Sequence, residues 1–307
     1  MSQTIASLSR KIGTAGDLQS VVRTMKAVAA SSIGQFESAV LALDDYHRAV
    51  QLGLVACLRE MASPLVPAPA PRRENGPIAA VVFGSDLGLV GQFNDVMASF
   101  VVTTLADLPA QKTVWTVGER IRSRLRQTDL GLDKSFMLPG SIGAITALVG
   151  QILVALETLR EQGAINQVYV FHNSPHAGAI YRPVCQRLLP LDQVWRRQLT
   201  AMAWPTQNLP EVMGGGAASL RAFVREYLFV SLFRACAESL ASENASRLAA
   251  MQRAEKNIDE LLEALRRSFH RLRQSGIDEE LFDLVSGFEV QPRGRNILNN
   301  CSGPTEK

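Results

Sequence analysis

Between Ser219 and Val290 the chain contains no proline, and that run constrains the fold more than anything else in it. Proline removes a helical N–H and clashes with the preceding turn, so its absence lets one helix continue. At 1.5 Å per residue such a helix reaches roughly 100 Å, wider than a small domain, and needs a partner lying along it. The apolar pattern says what kind. Leu248, Met251, Glu255, Ile258, Leu262, Leu265, Phe269 and Leu272 alternate in steps of three and four. A second segment, from about Gln3 to Met61, repeats the pattern at Phe36, Val40, Leu43, His47, Val50, Leu54, Cys57 and Met61. Upstream, Leu18, Val22, Met25 and Ala29 continue the stripe, and a four–four step through Ile33 shifts it. Stripes this long predict a coiled coil, in which apolar knobs of one helix fill holes on the other. The alternative is two amphipathic helices packed on one globular body.

The middle of the chain alternates differently. Strands are expected at Ile78–Phe83, Thr113–Val117, Lys134–Leu138 and Gln167–Phe171, with a weaker one at Ala179–Cys185. Helices are expected at Asn94–Leu105, Glu119–Arg126 and Ile142–Arg160. Alternating strand and helix predicts a mainly parallel sheet covered by helices. The expected organisation is therefore a first long helix over 1–62 and a connection over 63–76, where Pro64, Pro67, Pro69 and Pro71 end that helix. An α/β domain follows over 77–200, then a loop over 201–218, the second long helix over 219–290 and a tail over 291–307.

Composition narrows the function classes. Hydrophobic residues make up 47% and charged residues 20% of the chain, which is globular rather than disordered. A net charge of +3 is too small to imply nucleic acid as a partner. The four cysteines, Cys57, Cys185, Cys236 and Cys301, are far apart in sequence and form no CxxC, which fits a reduced compartment better than a metal or disulfide framework. The N-terminal MSQTIASLSRKIG lacks the apolar core of a signal peptide. In the apolar stretch Ile142–Leu159, Ile145, Leu148, Val149, Ile152, Leu153 and Leu156 fall at helical spacing, which reads as a packed face rather than a membrane span.

One stretch invites a chemical reading. "VVFGSDLGLVGQFND", residues 81–95, has the layout of a phosphate cradle: a β-like run, a loop with Gly84, Gly88 and Gly91, then an apolar-periodic segment. The glycines are spaced G-x-x-x-G-x-x-G, however, and the loop lacks the lysine and Ser/Thr of a Walker A site. A structural turn, with Ser85 and Asp86 satisfying its N–H groups, fits better. His172 and His176, four apart with Pro175 between them, read as a surface loop rather than a metal site. His47 falls in the stripe and His270 beside it. Glu243 with Arg247 and Glu263 with Arg267 read as ordinary i,i+4 pairs. No residue is assigned to catalysis, cofactor or metal.

The ends carry a resemblance. "VVRTMKAVAASS" (21–32) resembles the N-terminal helix motif of the gamma subunit of rotary F-type ATP synthases. "SENASRLAAMQRAEKNIDELL" (242–262) and "RLRQSGIDEELFDLVSG" (271–287) resemble its C-terminal helix, and "SDLGLVGQFN" (85–94) its loop after the first strand. The resemblance implies an antiparallel coiled coil of the two ends with a small α/β domain between them. It further implies a rotor shaft without an active site, standing in a ring of alpha and beta subunits. The α/β domain would sit at the foot with the epsilon subunit and the membrane ring of c subunits. The complex would couple ion flow to ATP synthesis or hydrolysis at the cytoplasmic face of a bacterial inner membrane.

Residue by residue, Arg23 and Met25 align with a basic residue and a methionine that face an acidic segment of beta. Arg247, Arg273 and Gln274 align with positions that hydrogen-bond to beta. Departures are Ser32 where a lysine is usual, Gly13 and Gly16 early in the first helix, Leu87 and Val90 in the loop, and Phe288-Glu289 at the tip. They resemble a divergent branch, of the kind found as alternate ATPases beside a standard one in some bacteria. Two other classes remain open: a soluble coiled-coil adaptor with an α/β head, and a nucleotide-using α/β enzyme. Beyond Val290, Pro292, Gly294 and the polar run Asn299–Lys307 predict a flexible tail, because little apolar surface is available to offset ordering.

Overall fold

The computed structural model describes residues 4–61, 76–191, 193–208, 210–212 and 216–289. Two long helices frame it: α1 (Ile5–Met61) and the last helix, α6 (Gly216–Glu289). Between them lie β1 (Ile78–Phe83), α2 (Phe93–Ala106), β2 (Lys112–Val117), α3 (Glu119–Leu125), β3 (Leu132–Phe136), α4 (Ile142–Glu161), β4 (Gln167–His176), β5 (Ala179–Leu189) and α5 (Gln193–Thr200). The expected coiled coil with an inserted, mainly parallel α/β domain is the architecture observed. The expected proline-rich connection over 63–76 and the tail over 291–307 fall almost wholly outside the described residues.

The sheet has the order β3-β2-β1-β4-β5. β1 runs parallel to β2 and β4, β2 parallel to β3, and β4 antiparallel to β5. Side chains alternate between its two faces, as the two-residue period of a strand requires. Ala80, Val82, Val114 and Phe171 pack beneath α2 and α3 with Met97, Val101, Ile121 and Leu125. Ala79, Val81, Trp115, Val168 and Val170 face the other way, toward α4, the last turns of α1 and the first third of α6. The six residues assigned to the inner face of α4 are all buried there. By length and composition α4 could cross a membrane, yet that apolar face is the one packed against the sheet.

Chain packing forms two compact units, one of residues 1–21 with 255–307 and one of 22–254. In the first unit Leu8, Ala15 and Leu262 are buried, and Gln19 donates its amide hydrogen to the Asp259 carboxylate. In the second, α1 and α6 run antiparallel. Asp44 pairs with Arg234, Tyr46 donates to Glu226, and Gly53 lies against the Phe223 ring. A Cβ at Gly53 would come within 2.3 Å of that ring, so only glycine permits this approach of the two helices.

The burial pattern corrects the stripe on α1. Leu18 is 53% exposed and outside the seam. The covered positions run Leu8, Ile12, Ala15, Gln19, Val22, Lys26, Ala29, Ile33, Phe36 and Val40, in unbroken alternating steps of four and three. Leu18 falls outside that run because it is exposed, while Met25, half-buried like Lys26, borders it, and the four–four step came from reading through Met25. Gln19 and Lys26 hold the heptad positions instead, and polar residues at such positions fix register in coiled coils. On α6 the assigned seam holds, with Met251 and Leu262 buried and Ile258, Leu265, Phe269 and Leu272 partly so.

Other boundaries also move. β3 begins two residues before the expected strand and ends at Phe136, leaving Met137 85% exposed. It is an edge strand whose Lys134 ammonium lies 5.1 Å from the Trp115 ring centroid, so its alternation of burial is weak. α5 was not expected. Its Trp195 meets Tyr227 of α6 edge-on at 5.3 Å and donates its indole N–H to the Tyr227 hydroxyl. His172 and His176 lie on β4, not in a loop, and His172 is buried. Gly13 and Gly16 do not interrupt α1.

Candidate functional site

The glycine loop leaves the C-terminal end of β1 and leads to β2 on one side, while the chain leaves β1's other neighbour, β4, toward β5 on the opposite side. In open α/β sheets this is the usual place for a nucleotide. Here the chain's own groups occupy it. The Asp86 carboxylate accepts the backbone N–H of Glu119 at 2.9 Å and that of Leu138 at 3.2 Å. It thus caps the start of α3 with a negative charge, which a helix N-terminus favours and which repels a phosphate. The Ser85 N–H donates to Asn94 Oδ1, and Asn94 Nδ2 donates back to Ser85 Oγ at 2.7 Å. Gly118, at φ +112°, brings its Cα against the Ser85 carbonyl; a Cβ would lie 2.8 Å from that oxygen. The space left beside the loop is about 70 Å³, between Gly88, Gly91, Arg120 and Arg124. Nucleotide-sized pockets begin at roughly 300 Å³.

The loop's apex is held from the other side by α6. Ser246 Oγ donates to the Val90 carbonyl at 2.6 Å, and Ser242 Oγ donates to the Asn173 carbonyl at 3.1 Å. Val90 is buried, while Leu87 and Leu89 stand out at 67% and 59% exposure, Leu89 at φ +63°. The SENASRL segment is therefore an internal brace between α6, the loop and the end of β4. Sequence reasoning missed this role. The signal was a serine every fourth residue on one face of the helix.

Within that brace Glu243 and Arg247 are not the ordinary solvated pair expected. Their side chains are 4% and 13% exposed, with Arg247 Nη2 2.5 Å from Glu243 Oε1. Arg247 Nη1 also donates to Asn244 Oδ1 at 3.2 Å. Burial pushes the Glu243 carboxyl above its usual range, and the Arg247 guanidinium opposes the shift. Glu263 and Arg267, by contrast, are 3.5 Å apart and exposed, as expected of a surface pair.

The other assigned residues are spread along the two helices. Arg23 is exposed on α1 and Met25 half-buried beside the seam. Arg273 and Gln274 are exposed on α6, next to the seam residue Leu272. The structure does not gather the five into one pocket. Ser32, in the position where a lysine is usual, turns its hydroxyl onto the Val28 carbonyl at 2.9 Å. Past Gly276 the described side chains of α6 are all exposed, including Ile277, Leu281, Phe282, Leu284 and Val285 at 47–73%. Contiguous apolar exposure of this kind marks a surface that meets another molecule. Among the described residues no group of His, Cys, Asp or Glu is arranged to hold a metal.

Comparison with known proteins agrees with this layout. A family model described as ATP synthase matches residues 4–290. The ATP synthase gamma chain of Moorella thermoacetica is 26% identical over 285 residues, covering 92% of this chain and 97% of that one. The gamma chain of Desulforudis audaxviator is 28% identical over 301 residues, covering 91% and 96%. Among solved structures, the rotor of the Euglena gracilis mitochondrial ATP synthase superposes with a TM-score of 0.61 at 15% identity, covering 89% of this chain and 98% of the other. The central stalk and c-ring of the Tetrahymena thermophila enzyme gives 0.54 at 23% identity, covering 76% and 99%. By the extent of the family match, the chain belongs to the gamma subunits of rotary F-type ATP synthases.

Proposed function

We propose that this chain is the central shaft of a rotary ATP synthase or ATPase, coupling ion flow through a membrane ring to the cycling of catalytic beta subunits. The observation that carries the reading is the 74-residue α6, which packs with α1 within each compact unit and ends in exposed apolar side chains. A stiff paired-helix rod suits a ring's bore, and an apolar tip suits a sleeve at its far end. The partners proposed are the alpha and beta subunits around the rod, with the epsilon subunit and the c-subunit ring at the α/β domain. The chain is non-catalytic and needs no cofactor of its own. It is peripheral to the membrane, at the cytoplasmic face of a bacterial inner membrane.

Arg23, Met25, Arg273 and Gln274 are the residues proposed to touch beta. Arg247 joins them as a guanidinium already oriented by Glu243 and Asn244. The departures at Ser32, Leu87 and Val90 fit a divergent bacterial branch. Purification of the native complex through a tag on this chain, with its subunits identified, tests the assignment. Recovery of alpha, beta, epsilon and c subunits is the expected result. Recovery of the chain alone, or with unrelated proteins, would favour a coiled-coil adaptor.

A further inference from the structure

We propose that the linked side chains Asp44, Arg234, Glu238 and His172 set the rotational register of the α/β domain on the paired helices. His172 continues the row Val168, Val170 on the face of β4 that meets α6, where another apolar residue would be the default. Its Nε2 lies 3.1 Å from Glu238 Oε2, so Nε2 carries the proton and the carboxylate accepts it. The second carboxylate oxygen accepts Arg234 Nε at 2.8 Å, and Arg234 Nη1 donates to Asp44 Oδ1 at 2.9 Å. One unbranched path of charge-assisted bonds thus runs from the sheet through α6 to α1.

Near Glu238 the rest of that interface is non-directional, the directed bonds from Ser242 and Ser246 lying one turn and more further along α6. Around Glu238, α6 presents Ala235, Cys236, Ala237, Ser239 and Ala241, small side chains that pack in more than one way. Apolar burial would tolerate a slide or a twist of the domain, because it depends on area and not on angle. The hydrogen-bonded path does not, because each bond holds only at one distance and direction. Buried ionic groups often add little net stability, and their best-attested use is to specify register. Burial pushes the Glu238 carboxyl up, and the hydrogen bonds from His172 and Arg234 outweigh it and bring it down to about 2. The four residues are therefore positioning residues. Their consequence for torque rests on the rotor reading; the register itself does not.

The test uses the full chain with Cys185→Ser and Cys301→Ser, spin-labelled at Ala106→Cys on α2 and Ala222→Cys on α6. Pulsed electron resonance then reads the distribution of label separations. Measured well below its own melting temperature, Glu238→Leu is expected to give a distribution that splits or becomes about twofold wider, since cores lose uniqueness before they unfold. Glu238→Gln, whose amide oxygen can accept from Arg234 while its NH2 donates to the Nδ1-protonated tautomer of His172, is expected to restore most of the sharpness. An unchanged distribution in folded Glu238→Leu overturns the proposal. If that variant does not fold, Asp44→Ala, at the exposed end of the path, decides: widening supports the proposal and an unchanged distribution overturns it. In the assembled complex, widening with undiminished ATP-driven ion pumping would leave the register assignment standing and remove its consequence for torque, whereas a sharp wild-type distribution in a chain that joins no alpha–beta ring would count against the rotor reading alone.

Discussion

Single side chains in this protein divide by what they bond. Glu238 is spent inside the fold. Burial alone would raise its pKa, but bonds from His172 and Arg234 overcome that and bring it down to about 2. A depressed carboxylate stabilises the fold above its unfolded pKa, near 4.5, and loses that contribution as pH falls toward 2. Melting curves of the wild type and Glu238→Gln should therefore differ at pH 7 and converge between pH 4.5 and 2. After discounting for solvent on its open side, the difference at pH 7 is on the order of 2 kcal/mol. A gap that stays constant down to pH 2 would contradict the assignment. Arg273 is the opposite case, exposed and beside the seam. Arg273→Ala should leave the chain's melting temperature within a degree or so of wild type, let the complex assemble and lower the ratio of ions pumped to ATP hydrolysed. Charge-assisted bonds of the kind it would make to beta contribute about 1.5–3 kcal/mol. An unchanged ratio would remove Arg273 from the contact set.

At the level of elements, the helix seam makes a contrast that burial alone decides. Leu262 is buried and Leu265 partly so. Replacing both with Asp should cost several kcal/mol by burying unpaired charge, and should block assembly. Leu18→Asp, at a position 53% exposed, should cost no more than about 0.5 kcal/mol. Equal losses in the two variants, measured by thermal unfolding, would return Leu18 to the seam. That contrast also shows what the sequence made legible. The α6 seam, β1 and the inner face of α4 were readable because apolar residues fill every position their period demands. Leu18 misled because an apolar residue stood one step from a heptad position held by Gln19. β3 slipped by two residues because an edge strand has little burial to impose alternation. α5 was missed because eight residues carry too few turns to show a period, and its anchor, Trp195, is recognisable only by Tyr227 across the fold. The site was legible in part. Asp86 was expected to satisfy N–H groups of its own turn, but its carboxylate accepts from Glu119 and Leu138 in the neighbouring connections instead. The buried state of Glu243 and His172 was not legible, since it depends on which face of α6 meets the sheet.

For the whole molecule, the account is of two long helices with an α/β domain between them in sequence, the outside of the helices being the surface proposed to work. The tail beyond Val290, proposed as dispensable, can be removed to check this. A chain lacking residues 292–307 should assemble and support near-normal ATP hydrolysis. A large rise in turnover would make the tail inhibitory, through Arg293 and Arg295 at an acidic rim of the ring, and failure to assemble would make it a structural anchor. The central claim is rotation, and it can be watched. With the alpha–beta ring fixed to a surface and a bead attached to the α/β domain through Ala106→Cys, addition of ATP should turn the bead continuously in one direction. A ring that hydrolyses ATP around this chain while the bead stays still would contradict the account.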